Sequence, residues 1–120
     1  MHELNEIIEE ARGLGELIAR HPRLIAYAAA RKAVSSDREA NRLLSDYARQ
    51  ADRMRHLEAE QRPIGVDDKR KLAELEQQFA SNELLKTLMR AQADFVEMMG
   101  HINRAMEAPM SAVLPQDHGS

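Results

Sequence analysis

The sequence has 120 residues and 43% of them are hydrophobic, which is enough for one domain with its own core. Only 3% are aromatic, and this favours an aliphatic core packed between helices over a sheet. The absence of cysteine excludes disulfides, thiolate catalysis and sulfur-ligated zinc or iron–sulfur centres. The net charge of −3 comes from interspersed signs, so it provides no general attraction to nucleic acid or to an acidic membrane.

The amino-terminal residues do not resemble a targeting segment. The sequence begins Met1-His2-Glu3-Leu4 and continues into acidic residues, without a charged stretch followed by an apolar one. No apolar run approaches the roughly 20 residues that span a bilayer. We therefore expect a soluble, cytoplasmic protein with no membrane association.

Two short helices are predicted at the start of the chain. Apolar residues from Leu4 to Ile18 recur at steps of three and four, which places them on one face of a helix. Pro22 then interrupts the pattern and is favourable at the first position of a new helix. The second helix is alanine-rich and is predicted from Arg23 to about Val34.

A long third helix is predicted from Asp37 to about Gln61. Ser36 with Glu39 three residues later matches a capping box at its start. Residues 62–65, Arg-Pro-Ile-Gly, form the clearest loop in the sequence. The apolar residues of this helix follow the 4-3-4-3 spacing of a heptad stripe, and they are Ala40, Leu44, Tyr47, Ala51 and Met54.

The last two helices follow that loop. Asp67 is predicted to cap the fourth helix, whose apolar face contains Leu72, Leu75 and Phe79. The fifth and longest helix is predicted from Ser81 or Asn82 to about Ala108. Its seam has the strongest repeat in the sequence, formed by Leu85, Leu88, Gln92, Phe95, Met99, Ile102 and Met106.

Pro109 is expected to end the fifth helix, which divides the chain into a helical domain over residues 1–108 and a flexible tail over residues 109–120. A helix of about 26 residues is ~39 Å long, whereas a compact domain of this size is only about 35 Å across. Three short helices cannot cover two such long ones. We therefore predict an all-α, elongated five-helix hairpin or bundle whose uncovered seam packs on a second copy, and a monomeric five-helix bundle is the alternative.

The predicted interface comprises the seam of the fifth helix, from Leu85 to Met106, together with Leu44, Tyr47 and Met54 of the third helix. Gln92 is the polar residue in that seam, where such a residue often sets register or partner choice. Alternatively, Gln92 lies at the edge of the seam and has no such role. The methionines near the carboxyl end suit adaptable packing at a helix interface better than they suit a soft-metal site.

No residue is assigned to catalysis, to a cofactor or to a metal. The sequence lacks Glu-x-x-His, so the signature of carboxylate di-iron bundles is absent. Glu97 and His101 share a helix face, but two ligands do not make a metal site. The basic end of the third helix is interleaved with acids, which favours an ion-paired face over RNA contact, and its arginines are Arg49, Arg53, Arg55 and Arg62.

The order of several dispersed motifs resembles the YlbF/YmcA family of small bacterial helical proteins over about residues 4–107. The match begins with Ala11 and Leu14-Gly15-Glu16-Leu17-Ile18, and continues with Tyr27, Ala30 and Ser36-Asp37-Arg38-Glu39-Ala40. It then includes Leu43-Leu44, Tyr47, Gln61, Gly65, Ser81-Asn82, Leu85, Ala91, Phe95 and Ile102. Glu83 departs from the proline that relatives often have after the asparagine.

The resemblance implies a five-helix chain that forms homodimers or mixed complexes with paralogues. Family members act as regulatory adaptors, and some join a complex that directs an endoribonuclease in mRNA processing. The resemblance implies no enzymatic activity. Some such complexes carry iron–sulfur clusters on cysteines, and because this chain has no cysteine, that cofactor is not carried over.

The leading interpretation is therefore a non-enzymatic adaptor that dimerises through its long helices and binds a protein partner. A small helical enzyme of the chorismate-mutase kind is one alternative, and it requires arginines that converge in a closed cavity. Direct RNA binding is the other alternative, and it requires unpaired cationic side chains for phosphate contacts.

Overall fold

The computed structural model describes residues 3–115, which form five α-helices joined by short connections. The predicted all-α, five-helix fold is thus confirmed. The third helix has 22 residues and the fifth has 31, so both are long as predicted. The helices are α1 (Leu4–Ala19), α2 (Pro22–Ser36), α3 (Arg38–Ala59), α4 (Val66–Ser81) and α5 (Glu83–Val113).

Polar side chains separate consecutive helices at two tight junctions. The Asp37 carboxylate accepts a hydrogen bond from the Ala40 amide at 2.9 Å, and so Asp37 is the N-cap of α3. The predicted capping box at Ser36 is wrong, because Ser36 is the last residue of α2. Asn82 caps α5 in the same manner, accepting from the Leu85 amide at 3.0 Å.

The connection between α3 and α4 begins with a left-handed residue. Gln61 has φ 57°, and its amide donates to the Glu58 carbonyl at 3.0 Å while the Arg62 amide donates to the Leu57 carbonyl at 2.8 Å. These two bonds form a Schellman motif, which ends α3 before Gln61 rather than at it. The N-cap of α4 is Gly65 and not the predicted Asp67, which lies in the first turn.

The carboxyl end of α5 corrects the predicted stop at Pro109, because the helix continues through this proline to Val113. Pro109 lies only one turn before the end, so its missing N–H removes a single helical hydrogen bond. The Leu114 amide donates to the Met110 carbonyl at 3.1 Å and closes the last turn. Residues 116–120 of the predicted tail lie outside the described residues.

The main core joins α2, the start of α3 and the first half of α5. α2 and α5 run in opposite directions, since Arg23 at the start of α2 donates to the Asp94 carbonyl at 3.1 Å and Val34 near its end shares the core with Leu85. Tyr27, Leu44, Phe79, Leu84 and Ala91 pack around it. The buried cluster consists of Ala30, Val34, Ala40, Leu43, Leu85 and Leu88.

A second contact joins α3 to α4. The Tyr47 and Phe79 rings lie 5.3 Å apart between their centroids. The buried Gln50 amide donates to the backbone carbonyl of Asp68 at 3.0 Å, and Arg53 Nε donates to the Asp68 carboxylate at 2.9 Å. These bonds fix the first turn of α4 against the middle of α3.

The overall shape is elongated. The radius of gyration is 20.3 Å and the principal extents are 60 × 42 × 20 Å, whereas a compact chain of this length has a radius of gyration of about 14 Å. Within the described residues α1 contacts α2 alone among the helices. Part of the molecule therefore extends away from the core, and this part carries the surface described next.

Candidate protein-interaction surface

The apolar stripe of α1 contacts α2 alone among the described helices, and most of it is uncovered. Leu14 and Ile18 are half-buried, whereas Leu4, Ile7, Ile8 and Ala11 are exposed. No residue of α1 is buried, and Leu4, Ile7 and Ile8 are 69%, 57% and 43% exposed. The charged residues lie on the other faces of the helix. An apolar face this continuous on a surface helix is typical of a binding site.

The last four turns or so of α5, residues Met99–Val113, form a second, largely exposed apolar surface, which we call the α5 overhang. The α5 seam packs on α2 up to Glu97, whose carboxylate lies 3.5 Å from Arg23 at the start of α2. Beyond that point Met98 is still buried, and coverage of the helix then decreases toward its carboxyl end. Met99 and Ile102 are half-buried, while exposure rises to 44% at Met106 and 54% at Met110.

The corner between α1 and α2 is held by local hydrogen bonds. The amides of Arg20 and His21 donate to the carbonyls of Leu17 and Ile18 at 3.2 and 3.0 Å. His21 Nδ1 accepts from the Arg23 amide at 3.0 Å and so caps α2. Pro22 restricts the preceding residue to extended backbone, as observed for His21 with ψ 138°. This corner therefore directs α1 away from the overhang of its own chain.

Some of the predicted interface residues of α5 pack within the chain, and the others are accessible to a second chain. Leu85 and Leu88 are 0% and 6% exposed and belong to the chain's own core. Phe95 is half-buried and stacks on Tyr27. Gln92 and Met106 are exposed, and Met99 and Ile102 are half-buried, so these four are the members of the seam that a second chain can reach.

The predicted interface residues of α3 face the intrachain contacts. Leu44 packs against the main core, and Tyr47 packs on Phe79 of α4. Met54 is half-buried. Their role in binding a second chain stays a prediction. The sequence analysis did not assign the α1 stripe to an interface. The spacing showed that stripe, but it did not show that α2 alone among the described helices contacts α1.

The basic end of α3 is an ion-paired face, as its interleaved acids predicted. Arg49 pairs with Asp46, Arg55 with Asp52 at 2.7 Å and Arg62 with Glu60 at 3.3 Å. The hydrogen bond from Arg49 lowers the pKa of Asp46, and that from Arg55 lowers the pKa of Asp52. Guanidinium groups engaged in this way are less available to phosphates.

Asp68 is the most connected carboxylate of this region. Its hydrogen bond from Arg53, followed by that from Gln50, lowers its pKa despite partial burial. The same pairing raises the pKa of Arg53. Because Gln50 and Arg53 belong to α3 while Asp68 belongs to α4, this cluster fixes helix packing.

The spaced pair on α5 forms a loose surface contact. His101 Nε2 lies 4.0 Å from the Glu97 carboxylate, and Arg104 lies 3.1 Å from His101 Nδ1. Within residues 3–115 no group of three His, Cys, Asp or Glu side chains is arranged to hold a metal ion. None of the helices described is both long enough and apolar enough to cross a membrane.

Comparisons with known proteins show which proteins this chain resembles in sequence and in fold. No curated protein matches the sequence. The fold matches Bacillus subtilis RicA, solved by X-ray crystallography in complex with RicF, with a TM-score of 0.74 and 18% identity, over 92% of this chain and 97% of that one. The family model for control of the competence regulator ComK, YlbF/YmcA, matches residues 7–111. The chain therefore belongs to the YlbF/YmcA family.

Proposed function

We propose that this chain is a non-enzymatic regulatory adaptor that assembles with a second family-type helical chain, a copy of itself or a paralogue, through the α1 stripe and the α5 overhang. The largely exposed apolar surface on these two helices is the observation that carries the proposal. Helical faces of this kind bind other helices through side chains spaced at i, i+3, i+4 and i+7. The complex of RicA with RicF supports assembly with a related chain.

The described arginines give no support to an enzyme of the chorismate-mutase kind. Such a site needs cationic side chains that converge in a closed cavity. Here the ion-paired side chains of Arg42, Arg49, Arg53 and Arg55 are between 48% and 77% exposed, and each bonds to an acid on the surface. Adaptor function therefore accounts for the observed surface better than catalysis does.

We further propose that the assembled adaptor modulates an endoribonuclease complex in mRNA processing, in the cytoplasm. The family description as a control of a competence regulator supports a regulatory role. In this proposal the chain contacts the ribonuclease complex through protein surfaces and not through RNA, since the basic face of α3 is neutralised by its own acids.

The test compares transcript cleavage in native cells that lack the gene with cells that carry it. We expect loss of the gene to leave specific transcripts uncleaved, as mapped by their 5′ ends, and the wild-type gene to restore cleavage. A variant with Ile7→Gln and Met106→Gln should not restore it, because both changes place a polar amide on the proposed surface.

The matched control carries Leu17→Gln and Val96→Gln. These residues are 62% and 59% exposed on the same two helices but lie outside the α1 stripe and the α5 overhang. The control should restore cleavage as the wild type does. Unchanged 5′ ends in the absence of the gene would contradict the ribonuclease proposal, and equal restoration by both variants would contradict the proposed surface.

A further inference from the structure

We propose that the outer face of α2 binds an acidic amphipathic helix of a partner protein other than a copy of this chain. The outer face is the side of α2 turned away from α5. Its residues are all exposed, and they are Ile25, Ala28, Ala29, Arg31, Lys32 and Ser35. This inference goes beyond the proposed function, because the face shares no residue with the α1 stripe or the α5 overhang.

The core contacts of α2 define which side of the helix is open. Tyr27, Ala30 and Val34 face the core that α2 shares with α5. At 100° per residue these three side chains lie within about 60° of one another, and Ile25 and Lys32 lie about 170° from their centre. Ile25 is 56% exposed. The outer face is therefore open to a partner without any change in the packing of the chain.

The charge of α2 is unbalanced. α2 contains Arg23, Arg31 and Lys32 and no acid, whereas each of the other four described helices contains four acidic residues. Arg23 is neutralised by Glu97, 3.5 Å away. Arg31 and Lys32 have no ion-pair partner among residues 3–115. Two adjacent uncompensated cations favour a partner with carboxylates at the same place.

The side chain of Arg31 is already oriented. Its guanidinium carbon lies 5.7 Å from the centroid of the Tyr27 ring, within the range of a cation–π contact. Arg31 makes no hydrogen bond within the described chain, so its N–H groups are free to bind a carboxylate with two parallel bonds. Because the ring contact restricts Arg31 before binding, less side-chain freedom is lost when a partner docks.

A shallow depression lies beside the two cations. It has a volume of about 350 Å³ and is lined by Ala28, Arg31, Lys32 and Ser35. The alanine and serine side chains are small and let a partner side chain approach closely. Ser35 Oγ donates to the Lys32 carbonyl at 3.0 Å, which uses the only donor of this hydroxyl. The two cations therefore provide the attraction for a carboxylate here.

The other end of the outer face is apolar, and this favours a helix over RNA. Lys32 follows Ile25 by seven residues, which is ~10.5 Å along the axis. A helix laid along α2 meets these two points with side chains that are also about two turns apart. An RNA strand needs cations for successive phosphates, and neither Ile25 nor the alanines provide one. The face thus fits a helix with an apolar residue and, two turns away, acidic residues.

The acidic helix of this chain is assigned elsewhere. α1 contains four glutamates and one arginine, a formal charge of −3. In the proposed function α1 lies at the surface where the adaptor assembles with a related chain. The outer face of α2 then remains available to a partner of a different kind, and capture of α1 from another copy is an outcome that the test detects.

Photo-cross-linking of the full chain in the native cell is the first test. A photoreactive benzoylphenylalanine placed at Ala29 reacts with whatever contacts the outer face. We expect it to capture one segment of another protein. Sequencing by mass spectrometry should show a helical pattern with an apolar residue and at least two acids about seven positions away. The same group placed at Gln77, which is exposed on α4, should not capture this segment.

The affinity of a synthetic peptide with the captured sequence is the second test. Lys32→Glu should weaken binding at least ~10-fold, because like charges then face each other. The Lys32 side chain has no bonding partner within the described chain, so this change leaves the fold intact. A peptide whose facing glutamate is replaced with lysine should bind the Lys32→Glu variant at least ~10-fold more tightly than the wild type.

Arg90→Glu is the matched control for the affinity measurement. Arg90 is exposed on α5 and has no ion-pair partner among the described residues, so its replacement changes the net charge by the same amount at a place away from the outer face. The affinity of the peptide for this variant should equal that for the wild type. An equal loss for Arg90→Glu and Lys32→Glu would show that only the net charge matters, and would overturn the proposal.

Four other results also overturn the proposal. They are no capture at Ala29, capture of RNA or of another copy of this chain, capture of a segment without acids, and an affinity unchanged by Lys32→Glu. Each of them leaves the proposed function standing, because the test of that function changes Ile7 and Met106 and not α2.

Discussion

The Tyr27 ring of α2 stacks on the Phe95 ring of α5, with centroids 5.4 Å apart and planes 20° from parallel. This contact lies at the point where α2 begins and the α5 overhang separates from the core. Arg31 also lies over Tyr27, 5.7 Å from the ring centroid. The stacked pair therefore holds the base from which the proposed binding surface extends.

We predict that Phe95→Ala lowers the free energy of unfolding by about 2–4 kcal/mol, because it removes the stacking contact and leaves a cavity beside Tyr27. Phe95→Leu should cost less than about 1.5 kcal/mol, because it keeps most of the apolar volume. Urea unfolding followed by circular dichroism measures both. Equal losses for the two variants would show that the ring itself contributes nothing.

The hydrogen bonds of Asp68 to Arg53 and Gln50 predict that the folded protein loses stability in acid. The bonds from Arg53 and Gln50 lower its pKa, so the stabilisation is present above the ordinary aspartate pKa of about 3.9. It is lost as the pH falls through the lower, folded-state pKa. Asp68→Asn should lower the melting temperature near neutral pH and flatten its fall below about pH 4.

The matched control for this experiment is Asp67→Asn in the same turn. Asp67 is exposed and carries the same charge near the start of α4, so both substitutions remove the same favourable interaction with the helix dipole. Melting temperatures between pH 3 and 7 compare the two. A profile for Asp68→Asn that matches that of Asp67→Asn contradicts the role of the cluster with Gln50 and Arg53.

The left-handed backbone of Gln61 predicts that replacing this residue with glycine stabilises the protein. Its φ of 57° lies in the left-handed region, which disfavours residues with a side chain and suits glycine at this position of a Schellman motif. Gln61→Gly should therefore stabilise the protein by about 0.5–1 kcal/mol, after the greater freedom of glycine in the unfolded chain is deducted. Gln61→Val should destabilise it, and chemical unfolding ranks the three proteins. A glycine variant less stable than the wild type would refute the assignment.

Because Pro109 cannot donate a backbone hydrogen bond, we predict that replacing it stabilises the end of α5 locally. Pro109→Ala restores an amide that can donate to the Ala105 carbonyl, so amides 110–113 should exchange hydrogen more slowly. The gain in stability should be smaller than the ~3 kcal/mol of a helix interior, because only one turn follows. Unchanged exchange rates at these amides would show that the proline does not limit the last turn.

The sequence predicted five helices because the steps of three and four are unambiguous in aliphatic segments this long. Local chemistry decided the boundaries, and there the predictions were less accurate. Asp37 replaces Ser36 as the cap of α3 because its carboxylate is in position to accept from Ala40. Pro109 lies inside α5 because the surrounding alanines and methionines favour helix strongly enough to absorb one missing bond.

The candidate site was predictable only in part. The spacing of Met99, Ile102 and Met106 placed them on one seam, but the same spacing also included Leu85 and Leu88, which the core of this chain buries. Periodicity identifies an apolar face and does not specify which helix covers it. For the same reason the stripe of α1 was visible in the sequence, while its exposure became visible only in the fold.

The central claim is that α1 and the α5 overhang form the binding surface, and hydrogen exchange measured across protein concentrations tests it most directly. A 16-residue helix that contacts only α2 and buries none of its residues is marginally stable, so α1 amides should exchange fast in dilute protein. We predict that assembly slows exchange in α1 and in residues 99–113, and leaves the exposed face of α3 unchanged. Protection that appears on α3 while α1 continues to exchange fast would contradict the claim.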